Sequence, residues 1–286
     1  MPRAAWIARK YGHPYKDGTM VGKNILAVSV RQLYGYKNDE KFADFIWESG
    51  IAQALGYKRK PHFSLFSKTR KYVESGAIME LYHDLAREKC KGRMLRLIGE
   101  DSTDMPAFFT EKDTEATLGH RTQKRREQQL NDMTGGDKYA KTWVFGYKLH
   151  FVNDLELGLP IAATVWPANR HDSQPFYVLF PYVIDNFEIQ EGAKFCGDSA
   201  FDSADIRQII RNHRNMKDVI AVNGRGNYKS ETPKDEDYGK RWSLEQSNSV
   251  LEGVYNLTAN RMKGILRNAV HAFACLIANF IEHFMD

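Results

Sequence analysis

Apolar residues recur at helical spacing through the first third of the chain and switch to strand-like runs after Gly92. Phe42, Phe45 and Ile46 mark a helix over 39–49, with Asn38 or Asp39 placed to cap it. Ile51 to Leu55 reads as a short second helix, stopped by Gly56. The basic turn Tyr57-Lys58-Arg59-Lys60-Pro61 follows, and its proline prevents the helix from continuing. A third helix begins at Ser64 or Ser67 and runs through Phe66, Arg70, Val73 and Glu74 to Gly76. Ile78, Leu81, Tyr82 and Leu85 mark a fourth over 77–93, which ends in a basic run from Lys89 to Arg93.

From residue 94 the period changes. Met94–Gly99 is an apolar run of strand length that stops at Glu100-Asp101-Ser102-Thr103-Asp104, and open α/β sheets place their chemistry at the carboxyl ends of strands. About 40 polar residues follow, Lys124-Arg125-Arg126 among them, and read as a long functional or mobile loop. Trp143–Val152 and Leu159–Trp166 form a hairpin around Asn153–Gly158. Pro175–Ile184 is a helix entered through Asp172 and Ser173, with His171-Asp172 read as capping groups. Lys194–Gly197 is a strand ending at Asp198, Asp202–Asn212 a helix, and Val219–Val222 a fifth strand before a long helical end. A hairpin first and crossovers later is the order of a ribonuclease-H-like sheet. The expected fold is therefore α/β, a mixed five-stranded sheet with flanking helices over 94–286, preceded by a small all-helical domain over 1–93.

Composition bounds the function classes. With 42% hydrophobic and 12% aromatic residues the chain can bury a core and is not a disordered segment. The start, MPRAAWIARKYGHPY, lacks an unbroken apolar stretch, so export is not expected and the protein is placed in the cytoplasm, with the nucleoid. The apolar run from Leu266 to Met285 contains Arg267, His271, Asn279, Glu282 and His283, so it is read as a buried helix and no membrane partner is expected. Cys90, Cys196 and Cys275 lie far apart and form no Cys-x-x-Cys pair, which argues against a disulfide framework or a structural zinc and leaves carboxylates to hold any metal. Cys196 is read as core, and Lys148 and His150 as one solvent-facing side of a strand.

Charge is uneven. Residues 1–100 carry 19 Lys and Arg against 10 Asp and Glu, whereas the remainder carries 22 against 26. A basic module joined to a mildly acidic one fits a polyanion reader, and equally a solvated basic face. Two short helices, a basic turn and a third helix bearing Lys68, Arg70 and Lys71 are compatible with a helix-turn-helix reader of DNA, and also with a generic helical bundle. Lys58, Arg59, Lys60, Lys68, Arg70 and Lys71 are the candidate DNA contacts.

The candidate chemistry lies further on. In the expected topology the first and fourth strands are neighbours, so Asp101 and Asp198 meet; facing carboxylates repel unless a cation neutralises them, and Mg²⁺ prefers such oxygen ligands. A third carboxylate is available at Glu245, and a continuous α-helix over 238–245 places Tyr238 and Arg241 on one stripe with it, each within about 40° of Glu245. Taken alone, Arg241 and Glu245 are also an ordinary surface pair at i, i+4.

Together these segments resemble the DDE transposases of insertion sequences. The resemblance rests on Asp101-Ser-Thr, Gly146-Tyr-Lys-Leu-His150, Gly158-Leu-Pro160, Ala168-Asn-Arg-His-Asp-Ser173, Gly197-Asp-Ser-Ala-Phe-Asp-Ser203 and the Arg241-x-x-x-Glu245 helix, in that order. It implies Asp101, Asp198 and Glu245 as catalytic ligands of Mg²⁺ or Mn²⁺, two ions in all, with Tyr238 and Arg241 contacting phosphate. It also implies double-stranded DNA, as transposon ends and target, as the partner, and a homo-oligomer acting on it in DNA cleavage and strand transfer. A nuclease of the same fold that cuts without joining, and a non-catalytic DNA-binding remnant, are the alternatives. The chain departs from the family's Tyr-Arg-Glu-Lys signature once: the lysine position, seven residues after the glutamate, holds Glu252.

Overall fold

The computed structural model describes residues 18–73, 75–108, 113–124, 139–224 and 231–285. Five helices come first: α1 (Gly18–Leu33), α2 (Asp39–Glu48), α3 (Ile51–Ala54), α4 (Ser64–Tyr72) and α5 (Ser75–Lys89). Asn38 caps α2, its side chain accepting from the backbone N–H groups of Glu40 and Lys41. The apolar positions expected to face inward do so: Phe42 and Ile46 are buried, and Phe42 meets Phe66 of α4 edge-on, with ring centroids 5.0 Å apart. Helix α1 was not anticipated. Val21, Ile25 and Val28 are its buried stripe, but Gly18 and Gly22 weaken the local signal, and tertiary packing supplies what propensity does not.

The sheet follows, built from β1 (Met94–Pro106), β2 (Thr117–Lys124), β3 (Tyr139–Asp154), β4 (Leu159–Pro167), β5 (Glu188–Gly197) and β6 (Lys217–Ile220). Helices α6 (Phe176–Asn186) and α7 (Ala204–Asn212) form the crossovers. β1 pairs antiparallel with β3 and parallel with β5, β3 pairs antiparallel with β4, and β5 pairs parallel with β6. The resulting order, β4-β3-β1-β5-β6, is the ribonuclease-H-like arrangement expected from the sequence. The strand count is a correction. A sixth strand, β2, lies within the stretch read as a polar loop and pairs with the first part of β3 over 139–146, while β4 pairs with the remainder. Its sequence, TLGHRTQK, has no apolar alternation, so nothing in the hydropathy pattern marks it. Of the Lys124–Arg126 cluster, Arg125 and Arg126 lie outside the described residues.

After β6 the chain passes through a short 3-10 helix (Glu236–Arg241) into α8 (Trp242–Gly253) and then α9 (Ile265–Met285). Helix α9 is long and apolar enough to cross a membrane, yet it is 72% buried inside the protein. It packs on α1, α5 and β4, so the helical region and the sheet share one continuous core. The Tyr82 hydroxyl donates to the Pro160 carbonyl at 2.8 Å and fastens α5 to β4 in the same layer.

Candidate active site

Asp101 sits within β1, not beyond its end as expected, because the polar run 100–104 continues the strand to Pro106. Alternation divides that run between two faces of the sheet. Gly99, Asp101 and Thr103 lie on one, and Glu100, Ser102 and Asp104 on the other. β5 runs beside β1 with Gly99 opposite Cys196, so two residues further on Asp198 emerges at the level of Asp101 and on the same face. Adjacent strands lie about 4.8 Å apart. Asp198 ends β5 and turns the chain, one carboxylate oxygen accepting from the Ala200 N–H at 2.8 Å.

Helix α8 covers this face along β1. Leu244 packs over Gly99, Asn248 donates its amide to Asp101 Oδ2 at 3.1 Å, and Glu252 accepts the Thr103 hydroxyl. A side chain at position 99 would stand 2.9 Å from the Cys196 carbonyl oxygen and 3.2 Å from Leu244, so glycine is what permits the helix to lie this close. On the β3 flank, the Asn153 side chain donates to Ser247 Oγ at 2.8 Å. Glu245 is exposed and lies about 200° around the helix from Ser247, on the opposite flank of α8. Asp101 and Asp198 both act on one neighbour, Glu100, whose carboxyl they help push upward. These are hard oxygen donors, which suit Mg²⁺ or Mn²⁺ by their chemistry. Among the described residues, no three His, Cys, Asp or Glu side chains stand grouped as metal ligands.

Tyr238 and Arg241 belong to the 3-10 helix before α8, not to a continuous α-helix, so the expected stripe is broken at Trp242. Lys194 of β5 holds that segment down, donating to Asp235 and Asp237 at 2.8 Å each. Burial raises the Tyr238 phenol, Arg241 opposes that shift, and Asp198 reinforces it.

The opposite face of β1 is polar and closed. Lys148, which pairs with Asp104 across the strands, donates to Asp172 at 2.8 Å, and Ser102 Oγ donates to the same carboxylate oxygen at 3.2 Å. Lys148 and His150 are therefore buried rather than solvent-facing. Asp172 is an ion-pair partner rather than a helix cap, while His171 turns to Ser173 at 2.7 Å. Glu100 and His150 are fully buried, and among the described residues neither carboxylate oxygen nor either ring nitrogen has a hydrogen-bond partner. Burial is the chief cause that raises Glu100 well above the usual carboxylate range, with Asp172, Asp101 and Asp198 adding to it. Burial also lowers His150 to about 4. Cys196 is buried, as expected.

In the helical region Lys58, Arg59, Lys60, Lys68 and Lys71 are exposed. Lys60 pairs with Asp44, and Lys71 lies over the Tyr72 ring at 5.0 Å from its centroid. Arg70 lies on the inner side of α4 and is buried. Its guanidinium grips Asp39 through bonds of 3.1 and 2.6 Å, and Arg31 meets the same carboxylate at 2.8 Å.

Residues 100–281, more than half of the chain, match the family model described as Transposase DDE domain. The chain belongs to that family. The match begins in the polar run of β1 and includes β5, α8 and most of α9, so it takes in Asp101, Asp198, Tyr238, Arg241 and Glu245. Among solved structures, this DDE transposase chain is similar to one described as a cryo-EM structure of piggyBac transposase synaptic complex with hairpin DNA. The likeness has 10% identity and a TM-score of 0.45, over 99% of this chain and 70% of that one. The fold follows from the strand order, not from that likeness. None of the curated proteins matches the sequence.

Asn248 is the site residue that sequence reasoning missed. Its spacing of three from Glu245 is a helical-face spacing, but an asparagine among serines carries no signal until Asp101 is seen beneath it.

Proposed function

We propose that this protein is a transposase that binds the ends of an insertion sequence and catalyses metal-dependent DNA strand cleavage and transfer. One observation carries the reading: in a chain of the transposase DDE family, Asp101 and Asp198 stand at the same level of adjoining parallel strands, and Asn248 of α8, the helix that also carries Glu245, bonds Asp101. These three carboxylates would hold the divalent ions, which when bound supply charge stabilisation for the attacking and leaving oxygens of a phosphodiester. Tyr238 and Arg241, in the segment anchored by Lys194, supply a phenol and a guanidinium, a pairing suited to a DNA phosphate. Asn248 orients Asp101 by occupying its Oδ2. The exposed cations of α4 and the 58–60 turn supply sequence-independent phosphate attraction. Action on two DNA ends calls for more than one copy of the chain, located with the chromosome in the cytoplasm.

The test uses a plasmid carrying the DNA that flanks the gene on both sides. The purified protein with Mg²⁺ or Mn²⁺ should nick or cut at the ends of the flanking inverted repeats and join them to a target plasmid, and Asp198→Asn should do neither. Cutting without joining would identify a nuclease of the same fold. Binding without either would identify a remnant.

A further inference from the structure

Helix α8 meets β1 through a repeated contact. Positions 244, 248 and 252, each one turn apart, lie on positions 99, 101 and 103, each one strand period apart. The two periods are similar, about 6 Å per four residues of the helix and about 6.6 Å per pair for the strand, so the helix can follow the strand for this distance. The first contact is apolar and allows sliding. The other two are hydrogen bonds, which fix register: Asn248 to Asp101, and Thr103 to Glu252. Thr103 is buried and its hydroxyl donates to the Glu252 carboxylate, which can only accept. A lysine at 252 could bond Thr103 only in the reverse sense, its longer side chain donating to the hydroxyl oxygen. Asn248 is buried as well, and its amide oxygen has no partner among the described residues, so the side chain is held in place by what it donates to Asp101.

We infer that Asn248 and Glu252 are positioning residues that clamp α8 onto β1, fixing the Asp101 carboxylate and the reach of Glu245 towards it. The clamp gives the departure at position 252 a physical meaning: this chain uses that position to lock its helix, where the family pattern places a lysine. The inference rests on the proposed function only for what the clamp is for; the clamp itself is a property of the metal-free fold.

The experiment therefore has two arms. In the first, hydrogen exchange is followed across Trp242–Gly253 in the full-length, metal-free protein. Glu252→Leu, Glu252→Lys and Thr103→Val should each speed exchange in the helix. Glu252→Gln, which keeps an acceptor, should stay near wild type. The Thr103→Val and Glu252→Leu changes combined should do no more than either alone, since both remove one interaction. In the second arm, Mn²⁺ affinity is measured by electron paramagnetic resonance and cleavage is measured on the flanking-DNA plasmid. Asn248→Ala and Glu252→Lys should weaken Mn²⁺ binding by about 10-fold or more, the usual loss when a ligand's supporting partner is removed, while Glu252→Gln stays within about twofold. If Asn248→Ala does not fold, Thr103→Val and Glu252→Gln carry both arms. Wild-type exchange rates in Glu252→Leu, or better cleavage by Glu252→Lys than by wild type, would overturn the clamp. A wild-type protein that neither binds Mn²⁺ nor cuts would overturn the proposed function, with the exchange arm still deciding the clamp.

Discussion

The two faces of β1 are alike in composition and opposite in state. One carries Asp101 and Thr103 beneath α8, the other Glu100, Ser102 and Asp104 beside Lys148 and His150 of β3. On the Glu100 face the charges are settled among themselves: Lys148 and Ser102 both donate to Asp172, while Glu100 and His150 are sealed from solvent. On the Asp101 face the carboxylates are half-buried beside an exposed Glu245, on a helix that approaches without enclosing them. Polar residues in a sheet are therefore not in themselves the mark of a site. The candidate site is marked instead by half-buried carboxylates at one level of two adjoining strands.

The sharpest way to break this comparison is to exchange a carboxylate for an amide on the open face. Asp101→Asn or Asp198→Asn should reduce end cleavage by more than the about 100-fold typical of losing a supporting partner. Thermal melting should move little, since removing either charge also relieves Glu100. The closed face should respond in the opposite sense. Lys148→Met leaves Asp172 without its counter-ion and should cost about 2–3 kcal/mol, less than a fully buried pair because Asp172 keeps 34% of its side-chain exposure. Cleavage per folded molecule should survive, as read by activity against the folded fraction from denaturant melts.

A smaller effect should appear with pH. Burial lowers His83, His150 and His271 each to about 4, below the ordinary value near 6.5. Between those values the unfolded chain takes up protons that the folded chain does not. Their contribution to stability is therefore complete above about pH 6.5 and is lost as pH falls towards 4, at up to about 1.4 kcal/mol per pH unit per histidine. His150→Leu should flatten the acid limb of a stability-against-pH curve by one histidine's share. The smallest effect tests whether the same open-and-closed contrast holds in the helical region. Substituting alanine at Lys58, Arg59 and Lys60 should lower the log–log salt slope of DNA binding by about 0.9 for each phosphate that is no longer neutralised. Arg70→Ala should leave that slope unchanged and lower the melting temperature, because its partner is Asp39.

How far the sequence could be read depended on whether a signal was local. Asp198 was legible because the apolar end of β5 stops abruptly before it. Asp101 was found, but its strand was cut short, since a strand that is polar on both faces shows no alternation. The same blindness hid β2. Lys148 and His150 were placed on one side of a strand correctly, but which side is covered depends on Asp172, 24 residues beyond Lys148 and held by a tertiary contact. The break at Trp242 could not be read from spacing either, because the cross-strand anchor from Lys194 sets the 3-10 segment.

The position of α9 also bears on how the molecule comes into being. Its His271 bonds Gln32 of α1 across 239 positions of sequence, and Lys89 of α5 reaches the His283 carbonyl. Closing loops of that length is slow, because chain entropy is spent before the contact repays it. During synthesis the early helices would wait for α9 with their apolar stripe uncovered, a state that holdase chaperones recognise. Once α9 docks, the basic helical region and the carboxylate-bearing sheet should melt together as a single transition, with no condition in which one is folded and the other is not.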